Sequence, residues 1–174
     1  RELYIGLLHS HIRADIVIDE DLNPETLKQY KVLYLTGECL AEKRMKAVKD
    51  WVKEGGTVIA HGGVGTRNET DSLTHELDDL FGASQLFRRR IRASYQPRHI
   101  HGVPLIDTLK FDDNAFFTAR EIPVLGYKVA LRPTTGKVIG RFADGTPGAV
   151  VNACGKGKAL LIGTLPGLAY RRGT

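Results

Sequence analysis

The sequence predicts an α/β protein built on an open, doubly wound parallel sheet, with a β-rich extension in its second half. Three observations carry that prediction. The stretch Tyr30 to Gly65 reads as one strand, helix, strand unit, and parallel neighbours in a sheet need such a crossover between them. The 174 residues suffice for one domain, 1–174, with a core of its own. Past Gly82 the texture changes to short apolar runs separated by Pro, Gly, Asp and Asn, the pattern of strands and tight turns.

In chain order, Arg1 to His11 admits a strand, by its YIGLL core, or a helix, by the spacing of Leu3, Tyr4, Leu7, Leu8 and His11. Periodicity does not decide so short a run. Ala14 to Ile18 reads as a strand closed by Asp19 to Asn23, and Asn23-Pro24 supplies an N-cap and a first-turn proline for a helix over Pro24 to Gln29. Lys31 to Thr36 is apolar without alternation, which suits a strand buried on both faces, and Gly37 breaks it. From Leu40 to Glu54, Ala41, Met45, Val48, Trp51 and Val52 recur at steps of three and four, the stripe of an amphipathic helix. Gly55-Gly56 stops it, and Thr57 to Ala60 is the second buried strand. A polar loop follows, then a helix capped by Asp71 or Ser72 and running through Phe81, with Gly82 as its stop. The extension holds strands at Leu86 to Tyr95, Thr108 to Phe111, Ile122 to Leu131, Lys137 to Phe142, Ala149 to Ala153 and Ala159 to Thr164, with hairpin turns at Asp144-Gly145 and Gly155-Lys156-Gly157.

Composition narrows the function. No apolar run reaches membrane-span length. Cys39 and Cys154 form no CxxC pair, and the histidines fall in neither HxxxH nor HExxH spacing, so neither a metal site nor a cofactor is expected. The net charge of +5 and pI near 9.3 invite a nucleic-acid reading. The basic cluster is Arg88, Arg89, Arg90 and Arg92, followed by Tyr95, Arg98, His99 and His101, and no nucleic-acid-binding module accompanies it. It reads better as a solvated or interface strip.

Ligands in open α/β sheets sit beyond the carboxyl ends of the strands, which directs attention to Gly37 to Cys39 and His61 to Asn68. Gly37-Glu38-Cys39-Leu40-Ala41 resembles a nucleophile elbow imperfectly, since Ala41 stands where the second glycine belongs. A thiol mechanism at Cys39 also needs a histidine beside an acid. His75-Glu76 is the adjacent pair, and on a helix those side chains diverge. His61-Gly62-Gly63-Val64-Gly65 matches neither glycine-rich phosphate motif and reads as a strand-exit turn.

The strings RADIVIDEDL, ETLKQYKVLYLTGECLAEKRMKAVKDWVKEGGTVIAHG, HELDDLFGAS and PGAVVNACGKGKALLIGTLPG together resemble the beta-galactosidase trimerisation domain, a branch of the class I glutamine amidotransferase-like (flavodoxin-like) fold. The resemblance is strong over Ala14 to Ser84 and Gly148 to Gly167. It implies that Arg1 to His11 is a helix and that the first strand of the sheet lies upstream of Arg1. It also implies that the nucleophile of the wider fold would follow the second strand, where His61, Gly62 and Gly63 stand as a degenerate elbow; Cys39 is then in the wrong loop. The implied function is a non-catalytic oligomerisation or accessory domain of a glycoside-hydrolase-type protein, one that completes a neighbouring active site. The partners implied are identical subunits in a trimer or a companion catalytic domain, with carbohydrate reached through the parent protein, and Arg88, Arg89, Arg90, Arg92 and Tyr95 are the interface candidates. Two rival functions remain, a thiol-dependent amidase using Cys39 and an acidic-polymer or nucleic-acid binder using the strip from Arg88 to His101.

Overall fold

A computed structural model of the chain describes residues 2–90, 102–112 and 118–173. Its centre is the predicted unit: β1 (Val32–Leu35), α3 (Glu42–Lys53) and β2 (Thr57–His61), preceded by α1 (Glu2–His9) and the short α2 (Pro24–Leu27). β1 and β2 pair in parallel, Leu33 opposite Val58. The stripe of α3 is buried as its spacing demands: Met45, Val48, Trp51 and Val52 pack on Val58 and Ala60 of β2 in the larger of two core clusters. Gly55 takes φ +128°, and a Cβ on Gly56 would fall 2.4 Å from the Trp51 indole, so the glycine pair both stops the helix and admits the ring. At α2 the Asn23 side chain accepts from the Thr26 amide at 3.0 Å, the expected cap.

The remaining elements are α4 (Asp78–Phe81), β3 (Ala83–Arg90), β4 (Leu105–Phe111), β5 (Glu121–Leu125), β6 (Tyr127–Pro133), β7 (Lys137–Phe142), β8 (Pro147–Cys154), β9 (Gly157–Ile162) and α5 (Pro166–Gly173). Seven strands make one sheet in the order β1-β2-β9-β8-β7-β4-β5. Only β1, β2 and β9 run parallel; from β9 outward each pairing is antiparallel. The expectation of a parallel sheet therefore holds for that half alone, and the extension is a continuation of the same sheet. The β7–β8 and β8–β9 hairpins turn at Gly145 (φ +83°) and Gly155 (φ +60°), as predicted. Strand β9 is buried on both faces: Ala159 and Leu161 join the larger cluster, Leu160 and Ile162 the smaller one with Leu109, Val124, Ile139 and Phe142.

Four local expectations are corrected. Ala14 to Ile18 forms no strand; it has no ladder partner among the described residues, and Ile16 and Ile18 are 75% and 57% exposed. β1 is not buried on both faces, because it is the edge strand and leaves Val32 and Tyr34 exposed. The helix expected from Ser72 shrinks to α4, because Asn68 folds the preceding residues into a loop: its side chain accepts from the amides of Thr70 and Ser72, and Asp71 adopts φ +60°. The single strand expected over Ile122 to Leu131 breaks at Gly126 (φ +63°), so that β5 stays at the far edge of the sheet while β6 leaves to pair with β3.

That β3–β6 pair is a separate two-stranded ribbon, with Phe87 opposite Ala130. The Val129 amide donates to the Gly163 carbonyl at 2.7 Å, and the Thr164 hydroxyl to the Tyr127 carbonyl at 3.0 Å, which seats the ribbon at the exit of β9. Helix α5, not foreseen from sequence, packs on β5 and on α1. Gly6 faces the Tyr170 ring, and His9 Nδ1 lies 2.9 Å from the Tyr170 hydroxyl.

Candidate functional site: the loops beyond the parallel strands

The loop leaving β2 is the position where a catalytic elbow would stand, and the ribbon closes it. Gly62 lies beneath Val129: a Cβ there would come within 2.7 Å of the valine methyl. Gly63 has φ +92°, and a Cβ would be 2.2 Å from the Tyr127 hydroxyl oxygen. A serine or cysteine at Gly62 would have to push Val129 aside, and one at Gly63 would have to move the Tyr127 hydroxyl and would be strained as well. Gln85 of β3 holds the same loop from the side, its Oε1 accepting from the Gly63 amide while its Nε2 donates to the Val64 carbonyl at 3.1 Å. Backbone groups that could cradle an anion are thereby bound within the protein.

His61, at the end of β2, is half-buried, and its Nδ1 donates to the Gly62 carbonyl at 2.9 Å. Burial pushes its pKa down, against a smaller opposing effect of that hydrogen bond, so the ring stays neutral near pH 7. Cys39 is exposed, and its thiol faces Asp71 Oδ1 at 3.8 Å. Its residue bridges with Arg67, whose guanidinium pairs with Glu38 and Asp71. The thiol thus sits beside a carboxylate, with no imidazole among its hydrogen-bond partners in the described residues. His75, adjacent to Glu76 in sequence, turns instead to Asp78 at 3.0 Å, and the Ser84 hydroxyl donates to the same Asp78 oxygen at 2.7 Å. Histidine and serine share the acid rather than forming a relay in which the histidine lies between them, so this trio cannot activate the hydroxyl.

Between the loop and the ribbon a cavity of about 300 Å³ opens, lined chiefly by Thr66, Arg67, Leu73, His75, Leu77 and Leu86. No group of His, Cys, Asp and Glu among the described residues is arranged to hold a metal ion. No helix among them is long and apolar enough to cross a membrane. Of the arginine strip, the backbone of Arg88, Arg89 and Arg90 pairs with Val129, Lys128 and Tyr127 on β6. Arg92, Tyr95, Arg98, His99 and His101 lie outside the described residues.

Two polar features escaped the sequence reading. Lys128, buried on β6, donates to Asp107 of β4 at 2.5 Å and to Asp144 of the β7–β8 turn at 2.6 Å, and stands 4.4 Å from the centre of the Phe142 ring. Burial disfavours the charged lysine, but the two carboxylates outweigh it and raise its pKa. The Lys128 hydrogen bond, helped by Thr146, holds Asp144 down to about 2. Asp107 is likewise lowered: burial pushes it up, and the bonds from Lys128 and from the Thr108 and Ala143 amides overcome that. The cluster clamps the ribbon to the sheet. The second feature is the start of α3, where Ala41 offers no cap and Glu69 of the loop accepts from the Glu42 amide at 3.0 Å instead. Neither feature has a local sequence signal, since both join residues far apart in the chain.

The closed elbow, the thiol beside a carboxylate and the ribbon seated over the strand ends define a class: an α/β domain whose strand-end loop after β2 is bound by its own residues. The comparisons agree. Residues 1–172 match the family model of the beta-galactosidase trimerisation domain, and the chain belongs to that family. Among solved structures it is similar to the beta-galactosidase of Rahnella sp. R3 (16% identity, TM-score 0.78, covering 99% of this chain and 26% of that one). It is similar also to that of Bacillus circulans sp. alkalophilus (18%, 0.77, 99% and 26%). A third is Gan42B, a GH42 beta-galactosidase from G. stearothermophilus (19%, 0.74, 99% and 24%). At these identities the likeness is one of fold, and the chain spans about a quarter of each relative's length. No curated protein matches it.

Proposed function

We propose that this domain serves assembly in a longer glycoside-hydrolase-type chain, bringing identical subunits together as a trimer and bordering a companion catalytic domain without contributing chemistry itself. The observation that carries the reading is the loop after β2, in which Gly62 and Gly63 are held under Val129 and Tyr127 where a nucleophile would otherwise stand. Family membership supports the assembly role. The three parallel strands with α3 are, on this reading, the remnant of an amidotransferase-like, flavodoxin-like sheet. Its open edge at β1, where Val32 and Tyr34 are exposed, is on this reading covered in the assembled parent.

The test is the mass of the full-length parent by light scattering together with an amidase assay. A trimer with no turnover of glutamine or simple amides is expected, unchanged by Cys39→Ala. A parent that stays monomeric at high concentration would remove the assembly role, and turnover lost on Cys39→Ala would restore the thiol hydrolase.

A further inference from the structure

We infer that the recess between the loop after β2 and the ribbon binds a small uncharged molecule with an apolar face on one side and neighbouring hydroxyl groups on the other. At about 300 Å³ the space has the volume of a small-molecule site. Its apolar surface comes from three leucines. Leu77 is buried, whereas Leu73 of the loop and Leu86 of β3 are 71% and 54% exposed. Apolar surface left in water inside a concavity is stabilised when the hydrocarbon face of a ligand covers it.

The polar lining decides what the other side of that ligand carries. Most of it is committed within the protein: Gln85 to the Gly63 amide and the Val64 carbonyl, and the Thr66 hydroxyl to the Gly63 carbonyl. The Arg67 guanidinium is paired with Glu38 and Asp71. Two adjacent residues of the lining keep hydrogen-bonding capacity. Asp78 accepts from His75 Nδ1, which fixes the tautomer of the neutral ring and leaves Nε2 an acceptor with no hydrogen-bond partner among the described residues. The Thr74 hydroxyl accepts from the Glu76 amide at 3.3 Å and keeps its own proton to donate. One acceptor beside one donor, against leucine walls, matches two neighbouring hydroxyls on a hydrocarbon ring: one gives its proton to Nε2 and the other receives that of Thr74. A carboxylate has no proton to give Nε2, and it would face Asp78 in the same lining.

The experiment titrates the full-length parent with cis-cyclohexane-1,2-diol, cyclohexanol and cyclohexanecarboxylate, read by saturation-transfer NMR of each probe, and repeats the series on His75→Ala with circular dichroism as the check on folding. The wild type should bind the diol more tightly than cyclohexanol. His75→Ala should lose about fivefold in diol affinity, the scale of one hydrogen bond, and with it the preference for the diol. The difference between the two proteins reports the recess, whatever the probes meet elsewhere on the parent. If His75→Ala does not fold, Leu73→Ser takes its place and should weaken the diol and cyclohexanol alike, about threefold. A folded variant that binds the diol as the wild type does, or a wild-type parent that binds neither alcohol, overturns the inference. Cyclohexanecarboxylate bound as tightly as the diol overturns it too.

Discussion

The half of the sheet made by β1 and β2 and the half made by β8, β7, β4 and β5 meet on β9, yet they are stabilised in different ways. In the parallel half a crossover through α3 joins β1 to β2, and the stripe of α3 buries Trp51, Met45 and Val52 over β2 and β9. Its stability is apolar and concentrated in one helix. In the antiparallel half β4–β5 and β7–β8 pair as consecutive strands, and the ribbon across their ends, whose Val129 and Leu131 enter the larger apolar cluster, is tied to them by the Lys128 ion cluster. A domain can thus join a packed helix layer to an ion-clamped ribbon through a single shared strand.

The sharpest way to test the contrast is to remove the helix anchor. Trp51→Ala should lower unfolding stability by about 3 to 5 kcal/mol, read from denaturant midpoints, since a buried large aromatic leaves both lost transfer energy and a cavity. An unchanged midpoint would mean that α3 contributes little to the parallel half.

Lys128→Ala should cost about 2 kcal/mol. That is less than a fully buried pair would lose, because Asp144 is 54% exposed and water screens part of the charge left behind. Hydrogen exchange should then rise in β3 and β6 before it rises in β2. The pH dependence follows from the shifts. Asp107 and Asp144 titrate below the ordinary carboxylate value of about 3.9, so their contribution is complete above roughly pH 4 and fades towards the value near 2 held by Asp144. The raised Lys128 keeps its contribution below the ordinary lysine value of about 10.4 and loses it as pH climbs through the folded value. A variant whose acid profile matches wild type would show that the clamp is not what binds the ribbon.

The smallest effect is expected at the loop. Glu69→Ala should lower stability slightly, because the Glu42 amide loses its acceptor, and should increase amide exchange in the first turn of α3. No change there would leave Ala41 as an uncapped start.

The same contrast explains what could be read in advance. Periodicity located β1, α3 and β2 almost to the residue because helix and turn signals are local: the stripe, Gly37, and the pair Gly55-Gly56. The hairpins of β7, β8 and β9 were legible for the same reason. Strand partners were not, because pairing is decided by residues far apart; nothing near Gly126 announces that β5 and β6 belong to different sheets. Ala14 to Ile18 has the composition of a strand and lacks a neighbour, so composition misled. At the candidate site His61, Gly62, Gly63 and Cys39 were found at the strand ends, but what closes Gly62 and Gly63 comes from Gln85, Tyr127 and Val129, over twenty residues downstream.

Gly126 gives the chain a mechanical continuity. Its amide donates to the Pro104 carbonyl at 3.0 Å, and a Cβ there would fall 2.8 Å from Val103, so this joint is tight. On one side of it β5 forms the outer rim against which α5 rests; on the other β6 lies over the loop after β2. Only Gly126 separates the rim strand that α5 packs on from the strand that carries Tyr127 and Val129. The rim and the closed loop are therefore joined by the backbone itself, with Gly126 as the single residue between them.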